Sequence, residues 1–213
     1  MHSTSFAQHQ DAWQWTTLSI SKKITPKTSV IFDEELRLFQ NLSRINLVYT
    51  NIGASYKINN YFKITGVYRW LEKSRADGRY STRHRFYTDA IFKYKYDPVT
   101  FVYRARLQTE IRDVNSSDKG TVPENYWRSK FDIKLDLNKR YTPYIAAEFR
   151  YQFNNDRLIE ANNGFERGRY YIGCDYEINK KNSFGLYYMI QREFNVNDPE
   201  TDFTIGISYG LSL

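Results

Sequence analysis

The sequence of 213 residues lacks the features that define several common classes of protein. Its single cysteine, Cys174, excludes a disulfide bond within the chain. No stretch approaches the ~18–20 consecutive apolar residues that a transmembrane helix needs. Glycine and proline total only 10 and 5 residues, and no stretch rich in them divides the chain into domains. Disulfide-stabilised folds and helical membrane proteins are therefore excluded.

Histidine is scarce, and this bears on catalysis. Nucleophilic catalysis of the Ser–His type needs a histidine aligned with a serine. His2 and His9 lie in the amino-terminal tail, and His84 alternates with Arg83 and Arg85, which predicts that it faces outward. The sequence has no HExxH, CxxC, P-loop or glycine-rich dinucleotide motif, and its loop carboxylates match no known calcium loop. We therefore expect no catalytic residue, no cofactor, no metal site and no enzymatic activity.

Long runs of like charge are absent too. The 31 basic and 24 acidic residues give a net charge of +7, but the two signs are interleaved along the chain. Nucleic-acid binding usually requires a basic patch or stripe, so it is not expected. A surplus of cations that faces a lumen or anionic lipid headgroups explains the same charge.

What the sequence has in abundance is alternation of apolar and polar residues. In residues 127–138 the odd positions carry Trp, Ser, Phe, Ile, Leu and Leu, and the even positions carry Arg, Lys, Asp, Lys, Asp and Asn. A period of two predicts a strand with one apolar and one charged face. Successive strands of this kind are typical of a transmembrane β-barrel with lipid outside and a polar interior. The 19 tyrosines suit the aromatic girdles of such a barrel.

The alternation defines eleven extended segments, joined by tight turns and by longer polar loops at 74–82, 114–126, 154–166 and 195–200. The segments are residues 13–21, 29–39, 44–58, 62–73, 83–96, 99–113, 127–138, 142–153, 167–178, 183–194 and 201–213. Short turns at one end and long loops at the other are the bacterial outer-membrane arrangement. We predict an all-β, antiparallel barrel of about ten strands from Ser29 onward, with twelve as the alternative. Trp13–Ser21 would then pair partially, fold into the lumen or belong to a misread pair of segments.

The chain is predicted to form one domain. Residues 11–213 form the barrel, and residues 1–10 are a remnant of a signal peptide or a disordered tail, since Ser5-Phe6-Ala7 has the small-x-small form of a cleavage site. The last segment alternates apolar residues up to Leu213, which resembles the signal read by barrel-assembly machinery. The expected location is the bacterial outer membrane.

Strict alternation also predicts the lining of the lumen. The candidate residues are Arg85, Asp89, Arg104, Arg106, Glu110, Arg128, Lys130, Asp132, Lys134, Glu148, Arg150, Arg169, Asp175, Gly206 and Ser208. An interior of about ten strands should be largely filled by paired charges. The small residues Gly206 and Ser208 leave room that arginines from across the lumen, a channel or Trp13–Ser21 would occupy.

Several short motifs carry a resemblance to a known family. They are Trp13 and Trp15 in the first segment, Glu35-Leu36-Arg37, and strands with Tyr and Arg such as Val67-Tyr68-Arg69 and Phe149-Arg150-Tyr151. The chain resembles the small outer-membrane barrels of Bacteroidota labelled DUF2490, whose implied fold is a barrel and which carry no established activity.

Two functions follow as expectations. The first is a structural or interaction barrel in contact with outer-membrane lipid, such as a subunit of an envelope complex that meets protein partners through its long loops. The alternative is a narrow, porin-like pore for small solutes with a mild anion preference, and a membrane enzyme is a distant third.

Overall fold

The computed structural model describes residues 10–75, 77–112, 123–137, 140–154 and 163–213, and within them the chain forms a closed barrel of eleven strands. The strands are β1 (Gln10–Lys23), β2 (Thr28–Phe39), β3 (Arg44–Lys57), β4 (Phe62–Ser74), β5 (Tyr80–Tyr96), β6 (Val99–Arg112), β7 (Glu124–Leu135), β8 (Tyr141–Phe153), β9 (Gly164–Glu177), β10 (Asn182–Glu193) and β11 (Thr201–Ser212). Each strand pairs antiparallel with the next along the chain, and β11 closes the barrel against β1.

The number of strands is eleven, one more than the ten that the sequence predicted and one fewer than the alternative of twelve. The difference lies in Trp13–Ser21, which is part of β1 and forms a full strand of the wall. Trp15 is paired with Gly206 on one side and with Arg37 on the other. Because β1 and β11 both run toward the same end of the barrel, they pair in parallel, and the closed barrel then has no strand edge with unpaired backbone groups.

Short turns gather at one end of the barrel, the turn end, where residues 24–27, 58–61, 97–98 and 178–181 connect the strands. Asparagines build two of these turns. The side-chain oxygen of Asn59 accepts hydrogen bonds from the backbone N–H of Tyr61 and Phe62, both at 2.8 Å. Asn179 does the same for Lys181 and Asn182 at 2.9 Å. The asparagine side chain thereby imitates a backbone turn, as its place between strands predicted.

The opposite end, the loop end, carries the connections that follow β2, β4, β6, β8 and β10, together with the start of β1. The Asp11 carboxylate accepts hydrogen bonds from the backbone N–H of Gln40 (2.8 Å) and Asn41 (2.9 Å), which ties β1 to the connection between β2 and β3. Parts of the long loops predicted at 114–126 and 154–166 lie outside the described residues, as do residues 1–9 of the predicted tail.

The distribution of polarity is inverted relative to a water-soluble globule. Apolar side chains point outward, so that Ile52 is 59% exposed and Ile172 62%. Among the described residues, buried polar and charged side chains outnumber buried apolar ones, and Glu110 is only 2% exposed. In the same residues, no helix is both long and apolar enough to cross a membrane.

Candidate functional site

The lumen is the candidate site, because the barrel collects its charged side chains there. Every residue that the sequence predicted to line the lumen lies at an inner-face position, from Arg85 on β5 to Ser208 on β11. Alternation alone produces this arrangement, since successive side chains of a strand point to opposite faces. That these residues contact a solute stays a prediction.

A buried carboxylate organises the middle of the lumen. Glu148 of β8 is 2% exposed and accepts hydrogen bonds from Arg104 (2.5 Å), Arg128 (2.5 Å) and Arg169 (3.1 Å). We call these four residues the Glu148 cluster. They come from four adjacent strands, β6 to β9, so one acidic side chain joins a third of the wall. Buried charges are tolerated when they are paired in this way.

Trp15 extends the cluster toward β1 and β2. The guanidinium of Arg169 lies 5.2 Å from the centroid of the Trp15 ring, and that of Arg37 lies 3.5 Å from it. Arg37 in turn forms an ion pair with Glu35 at 2.5 Å. A cation held over an aromatic face is attracted by the ring quadrupole. Cation–π contacts and ion pairs thus connect Glu148 on β8 to Glu35 on β2 through the lumen.

Further ion pairs fill the lumen between this level and the loop end. Arg83 and Arg85 both bind Glu110, Arg150 binds Glu166, and Arg167 binds Glu193. On the inner faces of β5 and β6, Arg106 binds Asp89 at 2.6 Å and lies over the ring of Tyr87. The network of paired charges that the sequence predicted for the interior is therefore present in the structure.

Among the described residues, cavities follow one another along the lumen, of about 220 Å³ toward the loop end, 280 Å³ in the middle and 640 Å³ at the turn end. Trp15, Arg37, Arg128 and Arg169 line both the first and the second cavity. Arg104 and Lys130 line both the second and the third. Each boundary between cavities therefore includes members of the Glu148 cluster.

The cavity at the turn end is markedly cationic, and we call it the lysine chamber. Its lining includes Lys23, Lys27, Lys57, Lys63, Lys93, Lys130 and Lys134. Just beyond β7, Asp136 accepts a hydrogen bond from Lys95 at 3.0 Å, which lowers the pKa of the Asp136 carboxyl. The charge of Lys95 is thus balanced by a carboxylate.

Small residues line the inner face of β11, and the structure identifies what covers them. A Cβ atom added at Gly206 would lie 1.9 Å from Cζ of Tyr187, so the ring of this paired residue on β10 already occupies the space. The sequence had offered arginines, a channel or Trp13–Ser21 as occupants. All three are wrong for this position, because the nearest bulky side chain comes from the adjacent strand.

Sequence reasoning missed several residues of the lumen. Trp15 belongs to the segment Trp13–Ser21, which it had not placed in the wall, and Lys23 and Lys27 follow that segment. Tyr187 was not weighed as a filler of the lumen. The signal was present in the sequence: in β1 the alternation continues through Trp13, Trp15 and Thr17, but polar residues on both faces weaken it.

His84 lies on the outer face, where its Nδ1 atom is 2.8 Å from the hydroxyl oxygen of Tyr68. It is therefore not a lumen residue, in keeping with its position between two inward arginines. In the part of the chain that the structure describes, no group of three or more His, Cys, Asp or Glu side chains is placed to hold a metal ion.

An all-β closed barrel with a charged lumen and an apolar outer face has the architecture that is typical of outer-membrane barrels. The chain belongs to the DUF2490 family, whose model, described as a protein of unknown function, matches residues 13–202. The resemblance carried by the tryptophan and Tyr–Arg motifs is thereby confirmed.

Two solved structures are similar to the barrel. LpxR from Salmonella typhimurium is 8% identical, with 90% of this chain and 84% of that chain covered at a TM-score of 0.54. The translocator domain of the autotransporter NalP from Neisseria meningitidis is 10% identical, with 80% and 70% covered at a TM-score of 0.43. No curated protein matches the chain.

The expectation that the chain is not an enzyme is corrected by the first of these likenesses. LpxR, whose fold the barrel shares, is an enzyme. The expectation rested on the absence of catalytic motifs. That absence excludes only the chemistries that depend on those motifs. The scarcity of histidine therefore does not rule out catalysis on this fold.

Proposed function

We propose that the protein spans the bacterial outer membrane as a barrel closed by its own ion pairs, with a structural or interaction role such as a subunit of an envelope complex. The observation that carries the proposal is the Glu148 cluster at the boundaries between the three cavities. The outer face supports the location, and the filled lumen supports the closed state.

The outer face has the composition that a lipid boundary requires. Large apolar side chains remain exposed around the wall, among them Phe32, Phe131 and Ile205. Aromatic pairs flank this surface. Near the turn end, the ring centroids of Tyr141 and Tyr176 are 4.8 Å apart. Tyrosine and tryptophan at both ends of an apolar band are typical of membrane–water interfaces. In water, such a surface would favour aggregation.

The closed lumen follows from the cost of separating buried charges. Opening a path through the Glu148 cluster means moving Arg104, Arg128 or Arg169 away from their shared carboxylate. Removing one partner of a buried ion pair typically costs ~3–5 kcal/mol. We infer that the wild-type barrel stays closed, and that its contacts with other envelope proteins are made at its ends, through the long loops and turns.

A narrow pore for small solutes with a mild anion preference is the second candidate. It is favoured by the surplus of positive charge, because the Glu148 cluster holds three arginines for one glutamate and the lysine chamber adds further cations. A field of this sign would attract anions and repel cations.

Recordings in planar bilayers distinguish the two candidates. We expect no steady conductance from the wild-type protein. The variant Arg104→Ala/Arg128→Ala/Glu148→Ala removes most of the cluster together with its carboxylate, and it should give stepwise currents because the cavities become continuous. Steady wild-type steps with an anion-biased reversal potential would support the pore instead.

Arg150→Ala/Glu166→Ala is the matched control for that variant. It removes a buried ion pair of the lumen that lies outside the Glu148 cluster, so it should remain as silent as the wild type. Equal currents from both variants would mean that the cluster does not close the lumen.

A further inference from the structure

The lysine chamber has a volume of about 640 Å³, larger than the two lumen cavities toward the middle and the loop end. It is bounded by the inner faces of β1 to β7 near the turn end and by the turns at residues 24–27 and 58–61. Its size lies within the ~300–1,000 Å³ of typical small-molecule sites. It is therefore large enough for a ligand and open at one end of the barrel.

Charge pairing divides the cations of the chamber into two groups. Arg104, Lys130 and Lys134 are bound to the carboxylates of Glu148, Asp132 and Asp175, respectively. The second group makes no ion pair with any residue that the structure describes. Its members are Lys23, Lys27, Lys57, Lys63 and Lys93.

This excess of cations is not explained by the stability of the barrel. Seven lysines and Arg104 line the chamber against one lining carboxylate, Asp132. Like charges gathered in one cavity repel each other and destabilise the compact state. Deeper in the lumen the same barrel pairs its arginines with carboxylates, for example Arg106 with Asp89. A cluster of unpaired lysines at one mouth is the arrangement expected of a site for an anion.

We propose that the lysine chamber binds a polyanion that carries several phosphate groups. Lysine binds phosphate as a compact point charge with three N–H donors, whereas arginine favours bidentate pairing with carboxylates. The hydroxyls of Thr28, Ser29 and Ser55 line the chamber as well and add donors for phosphate oxygens. Because the chamber holds several separate ammonium groups, a ligand with several phosphate groups fits it better than a ligand with a single phosphate.

Several phosphate groups in one place are presented either by a soluble oligophosphate or by neighbouring headgroups of anionic phospholipids. The same lysines would bind phosphates from either source, but the two kinds of ligand reach the chamber by different routes. A soluble compound enters through the open mouth, whereas a headgroup has to reach inward from the surrounding bilayer. Binding of tripolyphosphate to the protein in nanodiscs, measured by calorimetry, distinguishes the two sources.

In nanodiscs of phosphatidylcholine we expect saturable binding of tripolyphosphate that weakens as salt is raised. If soluble compounds are the ligands, nanodiscs with one third phosphatidylglycerol give the same affinity within about threefold, apart from the general surface charge. If lipid headgroups fill the chamber, those nanodiscs abolish the binding. Absence of saturable binding in phosphatidylcholine overturns the proposal.

The variant Lys57→Gln/Lys63→Gln/Lys93→Gln tests the site itself. Each exposed ammonium contributes about 1 kcal/mol to an ion pair in water, or about fivefold in affinity, so the loss should be on the order of 100-fold. Lys22→Gln/Lys180→Gln/Lys181→Gln removes the same charge from residues outside the chamber lining. This control should change the affinity less than about threefold at physiological salt, because salt screens exposed charges that do not line the chamber.

Heat-modifiable migration on gels verifies that both variants are folded, and removal of like charges should not impair folding. An equal loss of affinity in the two variants would show non-specific attraction to a basic surface and would overturn the proposal. Because the measurement is of binding, its outcome is independent of whether the lumen conducts.

Discussion

Replacing Glu148 by glutamine should destabilise the barrel by ~3–5 kcal/mol, the usual cost of removing one partner from a buried set of charges. The change keeps the size of the side chain but leaves Arg104, Arg128 and Arg169 without the carboxylate that they share. Unfolding by urea in detergent micelles or lipid vesicles measures the difference in the free energy of unfolding.

Glu177→Gln is the matched control for this variant. Glu177 is the last residue of β9, is exposed, and its backbone N–H donates a hydrogen bond that the substitution keeps. Substitutions at such surface positions usually change stability by less than ~0.5 kcal/mol. If Glu148→Gln were as mild as the control, the cluster would not hold the interior together.

Gly206→Trp should destabilise the barrel by ~1–3 kcal/mol or more, as overpacking of a filled interior does. The added Cβ atom alone would lie 1.9 Å from Cζ of Tyr187, and the indole would extend further into the same ring. The ring has little room to withdraw, because it packs beside the ring of Tyr171, with the two centroids 5.8 Å apart. Urea unfolding again gives the magnitude.

Two further variants test the cause of that effect. Gly66→Trp introduces the same side chain at an outward position of β4 where nothing lies within 4 Å of an added Cβ, so it should be nearly neutral. Tyr187→Ala combined with Gly206→Trp should cost less than the sum of the two single changes, since contacting residues are not additive. If the destabilisation by the double variant equalled the sum of the two single effects, a clash with the Tyr187 ring would not be the cause of the effect of Gly206→Trp.

The sequence predicted most of the wall because alternation is a local property. Each segment such as residues 127–138 reports its own inward and outward faces, so the lining residues from Arg85 to Ser208 were assigned without any knowledge of pairing. The first strand was harder. Its parallel pairing with β11 joins the two ends of the chain, and no local pattern reports on that closure.

The contacts inside the lumen depend on register and closure, which the sequence does not display. Glu148 meets Arg169 because the two are paired across β8 and β9. Tyr187 covers Gly206 because β10 and β11 pair at that step. The lysine chamber combines residues from both ends of the sequence, from Lys23 to Lys134. These arrangements follow once the barrel is closed in one register.

The four tryptophans provide natural probes of which face of the wall meets lipid. Trp70 and Trp127 are 48% and 38% exposed on the outer face. Trp13 and Trp15 line the cavity toward the loop end inside the lumen. A barrel that spans a bilayer must therefore bring one pair of indoles to the lipid and keep the other pair away from it.

Fluorescence quenching by lipids with brominated acyl chains, after reconstitution into vesicles, tests the membrane-spanning barrel most directly. The wild-type protein should be quenched, and the variant Trp70→Phe/Trp127→Phe, which retains only the inner tryptophans, should lose most of that quenching. Quenching that is absent in the wild type, or undiminished in the variant, would contradict a barrel with lipid at its outer face and a closed, charged lumen inside.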